Sequence, residues 1–158
     1  PPTPGDPMPA AKVADFPRPA PGGGPFPLGA HAGRIVVLYF YPKDNTPGCT
    51  TETADFRDRH EAFARAGAVV VGISRDSLRS HEGFKAKLGL PFELASDADE
   101  SVCGRFGVIK MKKMYGKEVR GIERSTFVVD RHGRLAREWR GIKVPGHVDE
   151  VLAAVQAL

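Results

Sequence analysis

One stretch constrains this chain more than any other: Val36-Val37-Leu38-Tyr39-Phe40-Tyr41-Pro42-Lys43-Asp44-Asn45-Thr46-Pro47-Gly48-Cys49. Apolar and aromatic residues run on until Pro42, which has no amide proton to offer a sheet ladder and so ends a strand. A short polar turn follows, and then a helix begins. In this reading Thr46 is the N-cap, its oxygen accepting from a free backbone N–H. Pro47 stands at N1, where no donor is needed. Gly48 and Cys49 then fall at N2 and N3. A sulfur there faces unpaired N–H groups and the positive end of the helix dipole, both of which favour thiolate over thiol. Open α/β sheets gather their reactive groups beyond the carboxyl ends of the strands, and Cys49 lies there by construction.

The rest of the chain repeats the strand–helix alternation. Residues 1–30 are rich in Pro, Gly and Ala, which denies helix and long strand alike. They read as an extended or turn-rich arm of the same domain, with a hairpin packing Phe16 or Phe26 on the body. Residues 31–158 make the domain proper. Ile35 to Tyr41 reads as a strand covered on both faces. A helix is expected from Pro47 to about Ala66, with Phe56 and Phe63 on one face and Gly67 as its stop. Ala68 to Ser74 is a second buried strand. Ser77 caps a helix that places Leu78, Phe84 and Leu88 together and ends at Gly89 and Pro91. A short strand at Phe92–Ala95 and a short helix at Asp97–Phe106 follow. The basic segment Gly107–Gly121 is assigned no element. Ser125–Asp130 and Leu135–Arg140 flank Arg131-His132-Gly133 as a hairpin, and Val148, Val151, Leu152, Val155 and Leu158 repeat at helical spacing. The order β-α-β-α-β-α, β-hairpin, α implies an α/β sandwich of parallel crossovers extended by antiparallel strands.

Bulk properties exclude several classes. No apolar run approaches the roughly 20 residues of a membrane span, and no charged-then-apolar leader pattern is present. The net charge of +4 is modest. Read as Lys and Arg spread along the whole chain, it solvates a surface, and nucleic acid is disfavoured as a partner. Two distant cysteines make no disulfide framework and fit a reducing compartment, which places the protein in the cytoplasm. His31, His60, His81, His132 and His147 form no ligand-spaced cluster, so neither a metal nor a cofactor is expected.

A free cysteine is ordinarily a small buried hydrophobe. At Cys49 the polar turn neighbours Thr46, Pro47, Gly48 and Thr50 weigh against that fate. Thr46 adds a hydroxyl able to donate and accept. A cation is needed to hold a thiolate, and Arg124, just before the hairpin strand, is the candidate. From residues alone, a surface arginine paired with Glu123 competes with it.

These residues resemble a known family. Pro42-x-x-x-Thr46-x-x-Cys49 is similar to the peroxiredoxin signature. Tyr39-Phe40-Tyr41-Pro42 and Thr46-Pro47-Gly48-Cys49-Thr50-x-Glu52 resemble its bacterioferritin-comigratory, or Prx Q, branch. The likeness continues through Gly72-Ile73-Ser74-x-Asp76-Ser77, Glu123-Arg124-Ser125-Thr126-Phe127 and Lys143-Val144-Pro145-Gly146-His147, covering about residue 33 onward. It implies a thioredoxin-like fold, a central mixed sheet flanked by helices. It also implies an antioxidant peroxidase of cell redox homeostasis that reduces hydrogen peroxide and organic hydroperoxides. In that comparison Cys49 is the peroxidatic cysteine, Thr46 and Arg124 bind and polarise the peroxide, and Pro42 shields the sulfur. Thioredoxin or another thiol is the implied reductant, and a monomer or weak homodimer the expected state.

The chain departs from the branch in its recovery chemistry. Where some members carry a resolving cysteine five residues after the nucleophile, this chain has Ala54. Where others carry it in the following helix, it has Lys85. Cys103 is the other thiol: the candidate resolving cysteine, or a buried residue beside Val102 and Phe106. The expectation is a one-cysteine cycle completed by an external thiol. The competing class is a redox-inert binding module of the same fold that uses the basic 110–120 stretch.

Overall fold

The computed structural model describes residues 17–20, 24–27, 33–132 and 135–158. A short antiparallel hairpin, β1 (Pro17–Ala20) and β2 (Gly24–Pro27), precedes the body. The expected packing of Phe16 or Phe26, and Gly133 of the later turn, lie outside the described residues or side chains.

The body is built on five strands. β3 (Ile35–Phe40), β4 (Ala68–Ser74) and β5 (Glu93–Ser96) run parallel, while β8 (Ser125–Val129) and β9 (Leu135–Arg140) join antiparallel. The order is β5-β4-β3-β8-β9. The sheet is therefore mixed, as the alternation implied. β3 lies at its centre and is buried at every position, because helices cover both faces.

Strand alternation splits the core in two. Val36, Leu38 and Phe40 face one way, with Val71, Ile73, Phe127 and Val129, under helix α4 (Ser101–Phe106). Ile35, Val37, Tyr39 and Tyr41 face the other way. Four helices cover them: α1 (Pro47–Asp58), α2 (His60–Arg65), α3 (Leu78–Leu88) and α5 (His147–Gln156). Cys49 belongs to this second cluster and Cys103 to the first, so the sheet stands between them. The C-terminal helix places Val148, Val151 and Val155 within this core.

Two elements differ from the sequence reading. The helix expected over 47–66 is broken at Arg59, whose φ of −107° and ψ of 6° separate α1 from α2. Arg59 bonds back to the Asp55 carbonyl and is tied sideways to Asp149 of α5, a tertiary partner invisible to helical periodicity. The basic segment, left without an element, is an antiparallel hairpin, β6 (Ile109–Met114) and β7 (Lys117–Ile122). Its two-residue loop Tyr115-Gly116, both at positive φ, is the turn class that suits hairpin twist. The remaining local signals act as their chemistry suggests. Ser77 Oγ accepts from Ser80 N, and Gly89 ends α3 at φ 60°.

Candidate active site

β3 ends at Phe40, and the turn from Tyr41 to Thr46 leads the chain over the sheet edge into α1. This turn is anchored from beneath. Asp44 is buried, and its carboxylate accepts from Tyr41 Oη at 2.6 Å and Ser80 Oγ at 2.8 Å, with His81 Nδ1 at 2.7 Å. The Asp44 amide donates to Asp76 Oδ2 at 2.9 Å. Asp44, Asp76 and His81 bring ligand-type atoms within 4.8 Å of one another, but hydrogen bonds engage all three side chains. The cluster is a clamp tying the turn to β4 and α3. Sequence reading gave His81 a structural role and did not foresee its partner, since 37 residues separate it from Asp44.

Thr46 stands at the N-cap position with extended backbone, yet its side chain caps nothing. The hydroxyl instead donates to the Lys43 carbonyl at 2.8 Å, correcting the expected cap. At this end Thr50 N donates to Thr46 O at 2.9 Å. The N–H groups of the first turn, Cys49's among them, are thus not consumed by the Thr46 side chain, and the hydroxyl that donates to Lys43 O keeps its lone pairs as acceptors.

Cys49 is 1% exposed. Arg124, delivered by the segment between β7 and β8, donates from Nη2 to Cys49 Sγ at 3.3 Å. Its other arm, Nη1, donates to Glu52 Oε1 at 2.6 Å. The surface pairing of Arg124 with Glu123 is therefore not the one formed. Gly48 makes the approach possible. A Cβ there would lie 3.2 Å from Arg124 Nη2, tighter than nine in ten real contacts, and the guanidinium would have to give way by a few tenths of an ångström. Pro42, half-buried, opens the turn.

Glu52 is the residue that sequence reading missed. It appeared only inside a motif, without a role, yet it is fully buried and its Oε2 has no hydrogen-bond partner among the described residues. Burial pushes its carboxyl up to about 7, against the opposing pull of the Arg124 charge. Burial acts to lower Arg124, but Glu52 and Cys49 outweigh it and leave the guanidinium's pKa raised. A committed cation therefore sits on the sulfur. A carboxyl that exchanges its proton near neutrality holds that cation from behind.

Beside the site, burial lowers His147 to about 4, with Glu150 opposing and Arg124 adding to the fall. The neutral ring lies 2.8 Å from Thr126 Oγ1 and packs edge-on against Trp139. This seats the start of α5 on β8 without a second charge near Arg124.

Cys103 has the opposite surroundings. Its amide donates to Asp97 Oδ2 at 2.7 Å, and burial first, then the bond to Asp97, drive its thiol far above the ordinary range. Of the other two positions at issue, Ala54 lies within α1 and Lys85 bonds to Glu93 Oε1 at 2.8 Å.

Comparison with known proteins agrees with this geometry. Residues 4–138 match the model of the AhpC/TSA family. The chain is 53% identical over 150 residues to a protein of Xanthomonas campestris pv. campestris named peroxiredoxin Bcp, covering 95% of this chain and 93% of that one. It is 53% identical over 129 residues to peroxiredoxin Bcp of Bacillus subtilis, covering 82% of each. Among solved structures, the Xanthomonas campestris bacterioferritin comigratory protein superposes with a TM-score of 0.90 at 51% identity, covering 98% of both chains. A cysteine-to-serine mutant of Xylella fastidiosa PrxQ gives 0.93 at 43% identity, covering 99% of this chain and 96% of that one. A thiol placed under a guanidinium at a helix start, on a thioredoxin-like sheet, sets aside the redox-inert binding module: the chain belongs to the AhpC/TSA family, as a peroxiredoxin of the Bcp, or Prx Q, type.

Proposed function

We propose that this peroxiredoxin reduces hydroperoxides through Cys49 in a one-cysteine cycle, with Thr46, Arg124 and Pro42 completing the site. The Cys49 thiolate attacks the terminal oxygen of ROOH. The O–O bond breaks as the S–O bond forms, and RO⁻ leaves and takes up the peroxide proton as ROH. Sulfur is oxidised to the sulfenate level and the peroxide is reduced. Negative charge moves from sulfur to the departing oxygen, so donors fixed beside that path lower the barrier. Arg124 Nη2, 3.3 Å from Sγ, is the observation that carries this reading. Its guanidinium holds the thiolate at the start and reaches the peroxide oxygens as charge moves. The Thr46 hydroxyl, donating to Lys43 O, offers its lone pairs to the peroxide O–H. Pro42 covers the sulfur and limits access by other oxidants.

Recovery runs through an external thiol. Two observations support this: Cys103 is buried on the other face of the sheet, and Ala54 and Lys85 offer no sulfur. A disulfide needs Cα atoms within about 7 Å, a distance at odds with an intact sheet between the two thiols. A reductant thiol attacks the sulfenic sulfur and releases water. A second thiol, as in thioredoxin, then displaces Cys49 from the mixed disulfide. A reducing compartment such as the cytoplasm supplies that thiol. A monomer or weak homodimer is the proposed state.

Stopped-flow oxidation of the reduced protein by hydrogen peroxide tests the attack. Intact mass after one equivalent tests the recovery: gain of one oxygen supports the one-cysteine cycle, and loss of two hydrogens by an internal bridge rejects it.

A further inference from the structure

The β6–β7 hairpin carries Lys110, Lys112, Lys113, Lys117 and Arg120 against Glu118 alone. That excess of four positive charges equals the formal charge of all 158 residues, so outside the hairpin the chain is balanced. The charge taken from sequence as spread along the chain is concentrated on one finger. Among the described residues, none of its four lysines has a carboxylate within ion-pair distance. By register, Lys110, Lys112, Lys117 and Val119 share a face that holds no acid.

The finger is fixed at its base and open at its tip. Arg120 bonds Glu100, which also accepts from Arg75 at 2.8 Å, and Arg75 reaches the Arg120 carbonyl at 3.3 Å. Glu123 N donates to Val108 O at 2.7 Å, closing the hairpin's root. At the tip Tyr115 is 99% exposed with φ at 53°, a left-handed conformation in which an aromatic residue is strained and Gly or Asn is favoured. Val119 and Met111, on opposite faces of the hairpin, are exposed as well. Two residues beyond β7 stands Arg124, bonded to the Cys49 sulfur. The root of the finger therefore runs directly into the segment that carries the site's cation.

Resting on the peroxidase reading above, we infer that the β6–β7 hairpin is the docking surface for an acidic dithiol protein that reduces the Cys49 sulfenic acid. Complementary charge steers such a partner to the finger, and the exposed tyrosine anchors it. Lysine point charges around a lone aromatic, on a finger whose root runs into the Arg124 segment, favour a protein that must also reach the sulfur over a nucleic acid, which would gain nothing from that connection.

The test replaces Lys110, Lys112, Lys113 and Lys117 together by Glu, and separately makes Tyr115→Gly, which suits the turn. Three rates are measured on each protein: oxidation of Cys49 by hydrogen peroxide, re-reduction by dithiothreitol, and re-reduction by a thioredoxin of acidic isoelectric point at low and high salt. The docking role requires the first two rates unchanged in both variants. It also requires the thioredoxin rate in the charge variant to fall on the order of tenfold or more at low salt, with its salt dependence lost. Tyr115→Gly lowers the thioredoxin rate at both salt concentrations. An unchanged thioredoxin rate, or an equal fall with dithiothreitol, overturns the proposal. So does salt-sensitive binding of a DNA duplex by the wild type alone when its thioredoxin rate matches the variant's. If wild-type Cys49 is not oxidised by peroxide, the peroxidase reading beneath fails first.

Discussion

Cys49 and Cys103 are both free and both all but inaccessible, at 1% and 0% exposure. By burial alone they are the same residue, and their partners make them opposites. Arg124 points a guanidinium at Cys49 from one side of the sheet. On the other side Asp97 presents a carboxylate to Cys103, taking hydrogen bonds from the Val102 and Cys103 amides at 3.1 and 2.7 Å. A cation stabilises sulfur that has lost its proton, whereas an anion in an apolar setting holds the proton on. The sign of the nearest charge is what distinguishes the two buried sulfurs. The helix starts differ in the same sense: the α1 start receives no side-chain cap, whereas buried Asp97 occupies the amides near the start of α4.

The comparison is most easily broken by exchanging sulfur for oxygen at each site. Cys49→Ser abolishes hydrogen peroxide consumption, while Cys103→Ser leaves the single-turnover rate essentially unchanged. A large loss in the second variant would bring Cys103 into the cycle. Next in size, Arg124→Ala slows Cys49 oxidation by about 10²–10³-fold, the range for removing one preorganised donor. Stopped-flow fluorescence reads this, and the variant's midpoint in urea should move far less than its rate. Thr46→Val keeps the shape and removes the hydroxyl, and is expected to cost on the order of 10²-fold in the same assay. A near wild-type rate constant would remove Thr46 from the mechanism. Asp97→Ala gives the mirror result. It costs about 2 kcal/mol of unfolding free energy by stranding buried amides, with peroxide oxidation unaltered. Denaturation and kinetics measured on one preparation separate the two effects.

A separate effect concerns pH and is read in stability, not in rate. Burial raises Glu52 from 4.5 to about 7, so the folded state binds this proton more tightly than the unfolded chain does. For this group stability is greatest below about 4.5 and is lost as pH rises to about 7, beyond which the loss is constant. Glu52→Gln has no such titration. Its stability relative to wild type should therefore rise across that window, and unfolding curves that stay parallel from pH 4.5 to 7 would reject a raised Glu52 pKa.

Much of this was legible in linear order. A strand that ends at Pro42 and a helix that begins at Pro47 are local facts, set by the missing amide of proline and by apolar patterning, and they put Cys49 at the sheet edge. Ser77, Gly67 and Gly89 mark helix ends by the same kind of local chemistry. The resemblance supplied the peroxide chemistry and favoured Arg124, already a candidate by its place in the chain, over a surface pairing with Glu123. What stayed hidden shares one cause: each missing feature depends on a contact between residues far apart in sequence. Arg59 breaks a helix because Asp149 is beside it, and Asp44 holds the site turn because His81 lies beneath. The β6–β7 hairpin escaped notice because solvent covers both sides of its outer part, leaving no apolar alternation to read.

By itself, the sequence determined that a cysteine would stand at a helix start beyond a buried strand, since strand, turn and cap are short-range matters of hydrogen bonding and backbone freedom. Only the tertiary structure decided what that cysteine meets. The antiparallel pairing of β3 with β8 carries Arg124 across 75 residues to the sulfur, Gly48 leaves room for it, and Glu52 grips it from behind. Charge acts through space, and the fold alone sets those distances.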